Sequence, residues 1–204
     1  GDSVSTAGVT FTFTDRNAGT GKAVTVGGAL SGADAGNYTV SLPATVLADI
    51  LKKALTATVT ANGKTYDGTT AATGSVALNG VVSGDSVSTA GIIFTFADKN
   101  AGTGKAVTVG GALSGADAGN YTISLPATVL ADILKKALTA TVTANGKTYD
   151  GTTAATGSIA LNGVVSGDSV GTTGTSFTFA DKNASAGKTV NVTGTALTGA
   201  DSGN

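Results

Sequence analysis

Any chemistry in this chain falls to aspartate, asparagine, lysine and tyrosine, because His and Cys are absent and all 13 acidic residues are Asp. The commonest proton shuttle and the soft metal ligands are therefore missing. Oxygen ligands on loops remain, and calcium takes those. The Asp98-Lys99-Asn100 loop, its copies at Asp15 and Asp181, and the turns at Asp85 and Asp117 offer them. Asp98, Asn100, Asp85 and Asp117 are thus the calcium candidates, and no other cofactor is implied. No single loop supplies several closely spaced carboxylates, and such residues more commonly cap turns. Tyr66-Asp67-Gly68 and its copy Tyr149-Asp150-Gly151 read as a structural motif. The tyrosine can bury its ring, the aspartate can accept backbone N–H bonds in an Asx turn, and the glycine can take a positive φ.

Other chemistries are weaker fits. Lys105, Asn120 and Asp117 are the residue types of an isopeptide cross-link. Asn37-Tyr38-Thr39, Asn120-Tyr121-Thr122, Asn183-Ala184-Ser185 and Asn191-Val192-Thr193 match the N-glycosylation pattern, which arises easily in a chain rich in Asn and Thr. Paired aspartates could serve a glycosidase, but there is no Glu acid and no aromatic sugar platform. GTGKAVTVGG at 102–111 lacks the GxxxxGK[ST] spacing of a phosphate loop and leads into a strand. No enzymatic activity is expected.

These residues recur because the chain repeats. GDSV stands at Gly1, Gly84 and Gly167, a step of 83 residues. The first two copies differ at six positions: Val9/Ile92, Thr10/Ile93, Thr14/Ala97, Arg16/Lys99, Val40/Ile123 and Val76/Ile159. The third has one inserted residue near Thr193 and replaces an aliphatic pair with Thr175 and Ser176. Self-similarity at a fixed period predicts an array of like units. With the Lys-Lys pair as the seam, the domains are residues 1–51, a partial copy; 52–134, a complete copy; and 135–204, a copy lacking its end. That phase predicts a stretch of a longer tandem chain.

Composition sets the class. Apolar residues make up 41% of the chain, which argues for folding despite 31 glycines and a charged content of 12%. A net charge of −1 with no like-charge run beyond the Lys pairs gives nothing to steer nucleic acid or an anionic membrane, and no membrane insertion is expected. Residues 54–61, ALTATVTA, alternate Leu55, Ala57, Val59 and Ala61 against threonines, a half-buried strand. Asn62-Gly63 after it predicts a tight reversal with positive φ. Similar runs end at Asn79-Gly80, cross Phe94 and Phe96, reach Gly110-Gly111, and span Tyr121, Ile123 and Leu125. Short alternating runs between turn signals suggest an all-β sandwich or barrel. TVLADILKKAL from Thr45 fits either a strand or a short amphipathic helix, and the strand would pass almost without linker into the next copy. We carry forward tandem Ig-like β-sandwich modules arranged as a rod. A parallel β-helix, for which no sub-repeat exists, and a β-grasp-like unit with a helix at 45–54 are the alternatives.

The strings NGKTYDGTTAAT at 62–73 and 145–156, LNGVVSGDSV, FTFADKNAGTGKAVTV and LSGADAGNYT resemble the YDG repeat of filamentous-haemagglutinin-like bacterial adhesins. The resemblance covers the whole module. It implies a stalk or spacer segment of a secreted or surface-anchored protein, extracellular at the bacterial cell surface, which projects a distal adhesive domain. The expected partners are neighbouring modules of the same chain. Homotypic self-association in a fibre or biofilm matrix, and binding of host or surface glycans by each repeat, are the alternative readings.

Overall fold

The computed structural model describes Gly1–Asn204, and the chain is all-β: about half of its residues lie in strands. In order these are β1 (Val9–Phe13), β2 (Gly19–Gly28), β3 (Thr45–Ile50), β4 (Lys53–Asn62), β5 (Lys64–Thr65), β6 (Ala71–Asn79), β7 (Ile92–Phe96) and β8 (Gly102–Gly111). They continue as β9 (Tyr121–Ile123), β10 (Thr128–Leu134), β11 (Thr139–Asn145), β12 (Ala154–Asn162), β13 (Gly171–Thr173), β14 (Ser176–Phe179), β15 (Val190–Thr193) and β16 (Ala196–Thr198). The only helical turns are two 3-10 turns, Ala35–Asn37 and Ala118–Asn120. No helix is long and apolar enough to cross a membrane.

TVLADI is therefore strand, at β3 and again within β10, with no helix at 45–54. The β-branched Thr and Val at its start, and the two-residue gap before β4, leave no room for a helix to cap and turn. The alternation in β4 is also as expected: Leu55 is buried, Ala57, Val59 and Ala61 are half-buried, and the threonines between them face water. Asn62-Gly63 is different. Gly63 does not adopt positive φ, and the chain runs on into β5 instead of reversing. A Cβ on Gly63 would sit 3.0 Å from the Asp132 carbonyl oxygen, so this glycine serves a close backbone approach. Gly80 and Gly111, both with φ of 101°, do provide the expected left-handed turns.

Within the middle copy the strands run in the order β5-β10-β8-β7-β6-β4-β9. By contacts the chain forms two compact units, and the middle copy contributes to both. The first comprises Gly1–Val59, Val76–Ile93 and Gly110–Pro126. Here β1, β2 and β3 make an antiparallel sheet with Val9 opposite Gly28 and Thr45 opposite Thr25. The start of β4 pairs in parallel with β9, Lys53 opposite Tyr121 and Leu55 opposite Ile123. Val24, Leu55, Ile92 and Tyr121 are its buried apolar residues.

The second unit comprises Thr60–Ser75, Phe94–Val109 and Ala127–Asn204. In it β10 inserts between β8, antiparallel, and β5, parallel, with Ile133 opposite Lys64. That insertion closes a core of Tyr66, Phe96, Val107, Ala131 and Ile133. Parallel pairing joins strands far apart in sequence, so each of these cores closes only when the distant segment arrives. The third copy contributes β11-β12-β14-β15, and β13 pairs with β16. Its inserted residue falls in the turn between β15 and β16, where Gly194 takes φ of 75°.

Candidate functional site

The loop after β1 shows how the motif residues are used. Asp15 caps it by accepting the Asn17 N–H at 2.8 Å and by pairing with the Lys22 ammonium. The turn so fixed holds Arg16 outward, its side chain 67% exposed, against two aspartates of the next copy. Arg16 Nη1 lies 3.0 Å from Asp85 Oδ1, and Nη2 donates to Asp117 Oδ1 at 3.0 Å. Asp85 is nearly buried, and its Oδ1 is the one buried side-chain polar atom without an aligned hydrogen bond. Its compensation is therefore the guanidinium charge beside it. Asp85 Oδ2 accepts the Tyr121 hydroxyl at 2.5 Å, and that hydroxyl in turn accepts the Val82 N–H at 3.0 Å. The Asp85 hydrogen bond, and then burial, raise the Tyr121 hydroxyl above the ordinary phenol value.

A second set of contacts ties the same two copies. Asn120 Oδ1 accepts the Ala18 N–H at 2.8 Å, and its amide nitrogen donates to Asn17 Oδ1 at 3.2 Å. Asp117 Oδ2 accepts the Ser86 N–H at 2.8 Å, which holds the aspartate in place for Arg16.

The arrangement recurs one period later. Lys99 Nζ donates to Asp168 Oδ1 at 3.3 Å and lies 3.8 Å from Asp201 Oδ1. Asn204 Oδ1 accepts the Ala101 N–H at 2.9 Å. Here Tyr66 joins from the earlier copy, its hydroxyl donating to Asp168 Oδ1 at 3.0 Å with Lys99 above its ring. Burial, then the Asp168 bond, push the Tyr66 hydroxyl up; Tyr66 and then Asp168 raise Lys99. A tyrosine in contact with a lysine–carboxylate pair favours the neutral phenol beside the ion pair.

The calcium candidates separate. Asp85 and Asp117 converge, but on Arg16. Asp98 accepts the Asn100 N–H at 2.8 Å and pairs with Lys105 at 2.6 Å, which lowers its carboxyl, the Lys105 bond contributing most. Asn100 is that loop's capped residue, and Asn204 donates to its side chain at 3.5 Å. No three acidic side chains converge where a metal ion would sit. Lys105 on Asp98, and Asn120 on Ala18, are each engaged elsewhere than in an isopeptide geometry.

The Tyr-Asp-Gly motif is a loop brace with one reaching arm. Lys64 Nζ donates to Asp67 Oδ1 at 2.7 Å and to the Thr69 carbonyl at 2.9 Å, while Asp67 Oδ1 accepts the Thr69 N–H at 2.9 Å. Lys64 first, then the Thr69 N–H, hold the Asp67 carboxyl at about 2. Gly68 has φ of 78° and Gly151 of 79°. Lys147, Asp150 and Thr152 repeat the brace. Tyr66 is buried, whereas Tyr149 is 59% exposed.

Sequence reasoning singled out Asp85 and Asp117 but missed Arg16 and Tyr121 as their partners, and missed Asp168 and Asp201 as the equivalent pair around Lys99. The signal was the Arg16/Lys99 difference: two copies vary there while keeping a cation between the same Asp and Asn.

The YDG domain model matches residues 1–46, 51–129 and 134–204. No curated protein and no solved structure matches the chain.

Proposed function

Since the chain belongs to the YDG domain family, we propose that it is a stalk segment of a secreted or surface-anchored bacterial adhesin, built of Ig-like β-sandwich modules in a rod and holding a distal adhesive domain away from the cell. One observation carries the reading: at the same loop position in two successive copies a cation reaches two aspartates of the copy that follows. Arg16 reaches Asp85 and Asp117, and Lys99 reaches Asp168 and Asp201. Side chains used this way are mechanical links, and the two residues between β3 and β4 leave little slack for a hinge. The role needs no catalyst, and near-identical copies can be gained or lost while the tip keeps its specificity.

The test is reach. Chains of increasing copy number are measured by small-angle scattering, and a stalk requires the maximum dimension to grow in proportion to copy number. On cells, shortening the array should reduce adhesion while the distal domain's affinity in solution stays constant. Growth with only the square root of copy number, or glycan binding by the repeats themselves, would overturn the proposal.

A further inference from the structure

The chain enters the complete copy through β4 and β5 and leaves it through β9 and β10, and these entering and leaving strands pair with one another in parallel. In the first unit Lys53, Ala54 and Leu55 stand opposite Tyr121, Thr122 and Ile123. In the second, Lys64 and Thr65 stand opposite Ile133 and Leu134. Partners lie 68 positions apart in one pair and 69 in the other, so the entering and leaving runs keep step with a slip of a single residue.

Parallel pairing decides how tension acts. Within each pair the entering strand is pulled back from its N-terminal end and the leaving strand forward from its C-terminal end, and in a parallel pair those two ends are at opposite ends of the ladder. The load therefore runs along the strands. The evenly spaced hydrogen bonds of a parallel ladder are then sheared together, whereas a pull on two neighbouring ends would break them one at a time. Lengthening cannot relieve the load, because a β-strand at about 3.3 Å per residue is already close to the limit of an extended chain.

Side chains hold both pairs against sliding. Tyr121, the first residue of β9, is buried, and its hydroxyl donates to Asp85 Oδ2 while accepting the Val82 N–H at 3.0 Å. At β5, Lys64 Nζ bonds the Asp67 carboxylate and the Thr69 carbonyl, and the Tyr66 N–H just beyond donates to the Leu134 carbonyl at 2.8 Å. Asp132 Oδ1 of β10 accepts the Gly104 N–H of β8 at 2.7 Å. Ala131 and Ile133 of β10 are buried with Tyr66, Phe96 and Val107, and a bond sheared beside that core leaves a buried polar group unpaired.

We infer that each complete copy is a mechanical clamp, which resists tension along the chain far better than tension across its paired strands. The clamp rests on the stalk reading for its purpose, since a spacer between a cell and an anchored tip must stay folded under pull. Resistance itself is a property of the fold and is measured apart from reach and adhesion.

Single-molecule pulling on the 204-residue chain tests it. The chain has no cysteine, so Lys52→Cys with Lys135→Cys places handles on exposed residues just before β4 and just after β10. Thr65→Cys with Lys135→Cys, also on exposed residues, places both handles at one end of the β5–β10 pair and peels it. At one pulling speed the first geometry should need about twice the force of the second or more, because it loads several bonds at once where the second loads one. Each molecule reports its own folding by the length it releases on yielding, so a misfolded variant is not counted. Equal forces in the two geometries, or a lower force in the first, would refute the clamp even if the array lengthens in proportion to copy number. A high force in the first geometry from an array that scatters as a coil would keep the clamp and overturn the stalk.

Discussion

The same substitution made twice in the same local sequence measures how much a copy depends on its surroundings. Ile50 and Ile133 both sit in TVLADIL, yet Ile133 is 1% exposed among Tyr66, Phe96, Val107 and Ala131 while Ile50 is half-buried. Replacing Ile133 with Ala removes three carbon atoms. At about 0.8 kcal/mol per buried methylene-sized group the transfer loss is about 2.4 kcal/mol. The cavity left behind adds to it, and large-to-small core changes of this kind cost roughly 2–5 kcal/mol in all. Ile50→Ala forfeits about half of the transfer part and opens no closed cavity, so about 1 kcal/mol is expected. The two variants should therefore differ by about 1–4 kcal/mol. Urea denaturation followed by circular dichroism, at a concentration where the chain is monomeric, reads the difference as a shift in midpoint at constant slope. Equal costs at the two positions would mean that local strand propensity, and not the core closed by β10, holds this segment, and the account of the second unit would be wrong.

Glycines give a second paired comparison: Gly63→Ala places a Cβ 3.0 Å from the Asp132 carbonyl oxygen and should destabilise measurably in thermal melts, whereas Gly146→Ala meets nothing within 4 Å and should not. Arg16→Ala leaves Asp85 Oδ1 without its only charge partner; because Arg16 is largely exposed, about 1–2 kcal/mol is expected, less than for a fully buried pair. A double-mutant cycle with Asp85→Asn should return most of that as coupling. Asp67 and Asp150 titrate at about 2 in the folded loops against an ordinary 3.8, so the unfolded chain takes up protons first. Their contribution is complete above about pH 4 and is lost as pH falls toward 2, and Asp67→Asn should flatten that acid limb in a pH series of melts. At the alkaline end Tyr66 and Tyr121 have raised folded values, so their contribution is present below pH 10 and is lost above it. The Asp2 hydrogen bond, and then burial, raise Tyr38 as well, so ultraviolet titration should find three phenols that ionise late, and Tyr66→Phe should remove one of them.

Much of the local structure was legible because it is local. Leu55, Ala57, Val59 and Ala61 announce the buried side of β4 by alternation alone, and the Tyr-Asp-Gly loop behaves as its residue types dictate. Asn62-Gly63 misleads for a specific reason. The dipeptide is compatible with a reversal, but the competing demand at Gly63 is space for the backbone at Asp132, about seventy residues away, which no local pattern contains. The parallel pairings of β4 with β9 and of β5 with β10 were invisible on the same ground. The copy-boundary contacts were half visible. Asp85 and Asp117 stood out as oxygen donors, but oxygen ligands alone do not say whether a metal ion or a guanidinium arrives between them. Only the fold puts Arg16 there.

Near-identity of the copies then has an energetic consequence. Tyr66 and Tyr149 share the same flanking sequence, and Tyr66 is buried by packing against Ala131 and Ile133 of β10 in its own copy, so its burial belongs to the surrounding strands and not to the residue alone. The same holds for Ile133 against Ile50 and for Tyr121 against Tyr38. Stability in such an array is a sum of an intrinsic term for each copy and a term for each boundary. Arg16, Lys99, Asp85 and Asp168 belong to the second. Adding a copy adds one boundary with its ion pairs, so per-copy stability must rise with copy number toward a plateau. An isolated copy cut at the Lys-Lys seam, residues 52–134, would keep its core of Tyr66, Phe96, Val107, Ala131 and Ile133 and lose the ion pairs at its boundaries. Sequence drift in one copy is correspondingly felt in the next: the replacement of Arg16 by Lys99 exchanges two short contacts, both at 3.0 Å, for one of 3.3 Å and one of 3.8 Å. Of the two boundaries, the one carrying lysine should therefore open first when Tyr66 no longer supports it.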